Sequence, residues 1–126
     1  MIHLRQPEGS GLCGQHCVAM LVGASIYDVI ALMGTGSTNN TSQRAALWAF
    51  NWDMGRAQGF HQREGNLWIA RYKNGPRGRR AVYGHVVVLS GDTVYDSCAD
   101  GPMPLIDHMQ QYYGEPHRAY SVYKVR

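Results

Sequence analysis

The chemistry available to this chain of 126 residues rests on three cysteines, six histidines and a few carboxylates. Two of the cysteines, Cys13 and Cys17, stand four apart in SGLCGQHCVAM with His16 just before the second, and the third, Cys98, lies in SCADGP. Four readings compete for the pair. A structural zinc site would take Cys13, Cys17, Cys98 and one histidine, but C-x3-C without a second close pair is a weak metal signature. A Cys13–Cys17 disulfide would have to join adjacent turns of one helix, where the Cβ geometry seldom suits the bond. Burial as a small hydrophobe is the common fate of free cysteine and fits Cys17, which repeats with Met20 and Leu21 at helical spacing. Cys13 fits the fourth reading, a nucleophile. Gly9, Gly11 and Gly14 leave the backbone around it open, and the free amides and dipole of a helix start favour its thiolate.

A nucleophile needs a base, and the base needs an orienting group. His85 in YGHVVV and Asp96 in VYDS lie on two apolar segments separated by Gly91-Asp92. If these pair as a hairpin, residue 85 and residues 96 and 97 meet at its open end. A Cys13–His85 pair with the Asp96 carboxylate behind the imidazole is therefore geometrically available. The other polar residues have plainer expected places. His16, on the nucleophile's own helix, is expected to be partly exposed, and Gln15 follows the nucleophile too closely to serve as an oxyanion donor. Surface positions are expected for His3, His61, His108 and His117. Asp100 is a substitute orienter in a loop read as a structural turn. Trp48, Phe50, Trp52 and Trp68 read as core or groove wall.

The elements that must position these groups divide into a helical half and a strand half. Ser10 is expected to cap a first helix through Leu21 that Gly23 ends. Ser25 with Asp28 resembles a capping box before IYDVIALM, whose Ile26, Val29, Ile30 and Met33 make an apolar stripe closed by Gly34. After the loop from Gly34 to Asn40, Thr41 or Ser42 opens a third helix through QRAALWAFNW. LWIARY then reads as a strand, NGPRGRR as a loop, and AVYGHVVVLSGDTVYDS as a hairpin whose VVVL run is apolar enough to be covered on both faces. PLIDHMQQYY is an amphipathic helix with Pro104 in its first turn, and AYSVYKVR a closing strand. Helices first and an antiparallel sheet second predict an α+β fold in one domain spanning residues 1–126.

Bulk properties narrow the function classes. At this length about two thirds of the unfolded surface can be buried, so the fold needs no disulfide staples, and an odd number of cysteines suits a reducing compartment. No segment approaches the roughly 18 apolar residues that span a bilayer, and the N-terminus has no apolar run behind a basic start. A cytoplasmic protein with no membrane partner is expected. The net charge of +3 is concentrated in RYKNGPRGRR. No stacking aromatic array surrounds these cations, which disfavours nucleic acid relative to an acidic peptide or protein partner.

QPEGSGLCGQHCVAML, then GHVVVL, then VYDSCADG together resemble the papain-like cysteine peptidases. Within them the pattern is most similar to the peptidase domains that process bacteriocin leader peptides at a double-glycine site, and to their stand-alone relatives. The resemblance spans most of the chain. It implies a papain-like fold, with the nucleophile at a helix start packed on the C-terminal antiparallel sheet. It further implies Cys13 as nucleophile, His85 as general base and acid, Asp96 as orienting residue and Gln6 as side-chain donor to the oxyanion beside the Cys13 amide. The implied activity is cysteine peptidase or peptide-amide hydrolase on a peptide or protein substrate, with no cofactor and no metal. Isopeptidase, deamidase, cell-wall amidase or a catalytically inactive binding module on the same fold are the alternatives. In two places the chain departs from the family pattern: Gln6 stands seven residues before Cys13, one more than usual, and Ser97 follows Asp96 where proline is usual.

Overall fold

The computed structural model describes residues 1–59, 67–74, 80–112 and 120–126. Helix α1 (Cys13–Val22) begins at the cysteine itself, with Leu12 as N-cap and no side-chain cap bond. Ser10, expected to cap it, instead accepts from the Leu12 amide at 3.4 Å and from the Gln6 side-chain amide at 3.2 Å. The later start leaves Cys13 in the first helical turn, where backbone N–H groups have no partner within the helix. Every residue from Gly14 to Leu21 is buried, so α1 is the central helix, and Gly23 ends it in the left-handed conformation.

Helix α2 (Ile26–Met33) follows the sequence pattern closely: the Ser25 hydroxyl accepts from the Asp28 amide and Gly34 closes the last turn. Helix α3 (Asn40–Ala49) starts earlier than Thr41 because Asn39 caps it, forming a reciprocal capping box with Ser42. It also stops before FNW, where Asn51 takes a positive φ of 64° and turns the chain. Phe50 and Trp52 pack against the core, but Trp48 is 72% exposed and is not a core residue.

The second half forms β1 (Met54–Gly59), β2 (Leu67–Asn74), β3 (Arg80–Ser90), β4 (Thr93–Tyr95), β5 (Met103–Pro104), α4 (Leu105–Tyr112) and β6 (Tyr120–Val125). The strands make one antiparallel sheet in the order β1-β6-β2-β3-β4-β5. Strands β1 and β5 have no counterpart in the sequence reading. MGRAQG lacks the apolar alternation of a strand and is held by β6 and by Arg44, whose guanidinium donates to the Met54 and Gly55 carbonyls. The β3–β4 hairpin turns at Gly91-Asp92 as its sequence predicts, with Ser90 opposite Thr93 and Val88 opposite Tyr95.

Strand β3 is covered on both faces. Val86 and Val88 join Cys17 and Met20 of α1 in one core cluster, while Val87 and Leu89 join Leu105 and Met109 of α4 in another. Each such fully buried aliphatic side chain contributes about 1.5–3 kcal/mol, so the strand that carries His85 is fixed between two packed layers. Of RYKNGPRGRR, Arg71–Asn74 and Arg80 lie in strands, and residues 75–79 fall outside the described residues, as do His61 and His117. No helix among the described residues is long and apolar enough to cross a membrane.

Candidate active site

Cys13 opens α1, and α1 packs on β3, which brings the thiol to His85. The start of the helix also seats closely against the loop before α3, because residue 14 is glycine. A Cβ there would land on the Thr38 hydroxyl, which is itself held by the Gln43 side-chain amide at 3.0 Å. Burial alone would raise the Cys13 pKa. A hydrogen bond and charge interaction with His85, and backbone N–H groups of Val86 and Gly14, outweigh it and hold the thiol below its usual range.

His85 Nε2–H donates to Asp96 Oδ1 at 2.8 Å, which leaves Nδ1 for Cys13. Burial disfavours its charge, but the bonds to Asp96 and Cys13 and their negative charges raise its pKa to about 10. Asp96, 2% exposed, sits just beyond β4. Burial would raise its pKa, yet donors from His108, His85 and the Cys98 amide pull it well below the carboxylate range. The buried carboxylate thus favours a charged imidazole, and the imidazole in turn favours the thiolate form of Cys13.

The N-terminal segment straps this corner. His3 Nε2–H donates to the Asp96 carbonyl at 2.7 Å, and the Gln6 amide donates to the Ser97 carbonyl at 2.8 Å. The Ser97 hydroxyl donates to Gln6 Oε1 at 2.5 Å, which orients the Gln6 side chain with its NH2 group towards Ser10, one proton going to Ser10 Oγ. The longer spacing from Gln6 to Cys13 is taken up by a turn in which Ser10 N donates to the Pro7 carbonyl and Gly9 and Gly11 adopt φ of 70° and 68°.

Three sequence expectations change here, those for His16, His108 and His3. His16 is 3% exposed, with Nδ1–H on the Leu12 carbonyl at 2.7 Å, because α1 is buried on all sides. His108 is fully buried on Asp96 Oδ2 at 2.8 Å, not at the surface. His3 is bonded to the Asp96 backbone instead of standing free in solvent. Asp100, the substitute orienter, is exposed and pairs with Arg5. Gln15 is buried with its amide on the Gly34 and Gly36 carbonyls. The one signal for His108 was its place on the apolar face of α4 between Leu105 and Met109. For Ser97 the signal was its place beside Asp96.

The other thiols differ from Cys13. Cys17 is buried with its S–H on the Val86 carbonyl, and burial pushes its pKa well up. Burial and the negative charges of Asp96 and Cys13 raise exposed Cys98 to about 11. His85, Asp96 and Cys98 place candidate ligand atoms within 4.8 Å of one another. The His85 and Asp96 atoms, however, are 2.8 Å apart in a hydrogen bond, closer than the roughly 3.3 Å between neighbouring corners of a tetrahedral zinc site.

No protein-family model matches the sequence, and neither does any curated protein. Among solved structures the chain is similar to a double glycine motif protease from an AMS/PCAT transporter, crystallised in complex with the leader peptide. The TM-score is 0.61 over 98% of this chain and 91% of that one, at 15% sequence identity. That likeness, with helices preceding an antiparallel sheet, gives the chain the α+β fold of a papain-like peptidase domain.

Proposed function

We propose that the protein is a cysteine peptidase that hydrolyses a peptide-type amide with Cys13, His85, Asp96 and Gln6, without cofactor or metal. The observation that carries this reading is the row of polarised groups, from a thiol held below its usual range to an imidazole raised to about 10 and a buried carboxylate 2.8 Å behind it. In the proposed reaction the Cys13 thiolate attacks the carbonyl carbon and the C=O π pair moves to oxygen. The second amide proton of Gln6 and the Cys13 backbone N–H receive that oxyanion, each donor supplying about 3 kcal/mol. His85 Nδ1–H then protonates the departing nitrogen as the C–N bond breaks, leaving a thioester and a neutral imidazole. Neutral His85 takes a proton from water, the hydroxide adds to the thioester, and the acid departs with the thiolate–imidazolium pair restored. Asp96 holds the imidazole with Nε2 protonated throughout.

The solved neighbour, held with its leader peptide, supports a peptide as substrate. Peptide pools, isopeptide-linked and glutamine-containing proteins and cell-wall fragments, incubated with wild type and Cys13→Ala and read by mass spectrometry, test the reading. New peptide termini that require Cys13 are expected. Cys13-dependent loss of ammonia or of a side-chain link alone would move the activity to a deamidase or isopeptidase, and Cys13-dependent cell-wall cleavage to an amidase. Binding that survives Cys13→Ala with no turnover of any substrate would make the domain a binding module.

A further inference from the structure

A buried histidine stands behind the carboxylate of this site. His108 of α4 has no exposed surface, and its Nε2–H donates to Asp96 Oδ2 at 2.8 Å. The other oxygen, Oδ1, accepts from His85 Nε2–H at 2.8 Å and from the Cys98 amide at 2.9 Å. A carboxylate turns about a broad, roughly two-fold torsion, so donors on one oxygen leave its plane poorly defined. Donors on both oxygens, delivered by different elements, define it. Helix α4 is anchored independently of the site: the Leu105 amide donates to the Asp92 carbonyl at 2.7 Å, and Leu105 and Met109 pack with Val87, Leu89 and Val94. An apolar residue at 108 would complete that packed face without the desolvation cost of an imidazole. The bond to Asp96 explains why a histidine occupies the position.

We propose that His108 is a positioning residue, through which α4 fixes the Asp96 carboxylate so that Oδ1 stays on the His85 imidazole, extending the row to Cys13–His85–Asp96–His108. This rests on reading Cys13 and His85 as nucleophile and base. Its test is the rate of Cys13 alkylation by iodoacetamide between pH 4 and 9 in the full chain, for wild type, His108→Asn and His108→Gln. Wild-type Cys13 must react faster than Cys17 and Cys98 well below pH 8. If it does not, the nucleophile reading fails and takes this proposal with it.

Where it does, His108→Asn, whose amide stops short of Asp96, is expected to lower the alkylation rate at pH 6 about tenfold. His108→Gln, whose Nε2 reaches the place of the ring nitrogen, is expected to restore it to within about threefold. An unchanged profile for His108→Asn, or equal impairment in His108→Gln, overturns the positioning role while leaving Cys13 and His85 in theirs. Should His108→Asn not fold, the wild-type protein decides: the His108 Nε2 ¹⁵N shift is expected to move through the same pH transition as the His85 ring. A His108 signal flat through that transition overturns the proposal.

Discussion

Two residues of the proposed site divide the work in a way that single substitutions separate. Gln6 is proposed to serve the oxyanion and not the thiol, so Gln6→Ala is expected to reduce peptide hydrolysis about 10²–10³-fold while leaving Cys13 alkylation, which forms no oxyanion, unchanged. Ser97→Ala removes the hydroxyl that donates to Gln6 Oε1 and lets the amide turn, so it is expected to cost less, about tenfold in kcat/KM, with about 1–2 kcal/mol of stability lost. Steady-state kinetics beside urea unfolding checks both, and a Ser97→Ala enzyme of wild-type rate would remove Ser97 from the orientation of Gln6. Cys13, His85 and Asp96 could be singled out in the sequence because each sits in a local frame, a glycine-rich helix start, an apolar strand or the end of a hairpin, whereas Gln6 came only from the family resemblance. His108 and His3 could not be singled out. Their partner in each case is Asp96, and which ring reaches it depends on where α4 and the N-terminal segment dock.

At the scale of elements, the start of α1 and its seat against the loop before α3 set the position of the nucleophile. Gly14→Ala puts a methyl group on the Thr38 hydroxyl and into the Thr38–Gln43 hydrogen bond. It is expected to destabilise by about 1–3 kcal/mol and to displace Cys13 from His85, so that unfolding midpoint and Cys13 alkylation at pH 6 fall together. A Gly14→Ala protein of wild-type stability would show that this seat is loose. Helices α2 and α3 were legible because their caps are written in side chains, Ser25 with Asp28 and Ser42 near the start of α3. Strands β1 and β5 were not, since MGRAQG carries no alternation and a two-residue strand carries no pattern. Both exist because neighbours pair with them.

Across the whole molecule, the coupled charges make stability depend on pH in a defined way. Asp96 is depressed in the folded state, so its contribution is present above the unfolded carboxylate value of about 4 and is lost as pH falls below it. His85 is raised, so its contribution is full below the unfolded imidazole value of about 6.5 and is lost as pH rises towards about 10. Lowered Cys13 acts in the opposite sense to His85, its contribution growing as pH rises towards the unfolded thiol value of about 8.5 and offsetting part of the loss at His85. Urea unfolding from pH 3 to 10 is therefore expected to show a decline below about 4 from Asp96 and a decline towards about 10 from His85. Asp96→Asn should flatten the acid limb and bring the alkaline decline to lower pH. An acid limb equally steep in Asp96→Asn would mean that Asp96 is not held as described. The α+β order was legible at this scale because helix and strand periodicities occupy separate halves of the chain, and the buried VVVL run marked the strand with a layer on each face. The strand order was not, since β6 enters between β1 and β2 from the far end of the sequence.

The proposed chemistry depends on a Cys13 thiolate sustained by His85, which site-resolved iodoacetamide alkylation from pH 4 to 9 in wild type and His85→Ala tests. Rapid labelling of Cys13 alone well below pH 8 is expected, with Cys17 and Cys98 slow, and that rapid phase is expected to be lost in His85→Ala. Cys13 labelling no faster than an ordinary thiol, or equally fast without His85, would contradict that chemistry.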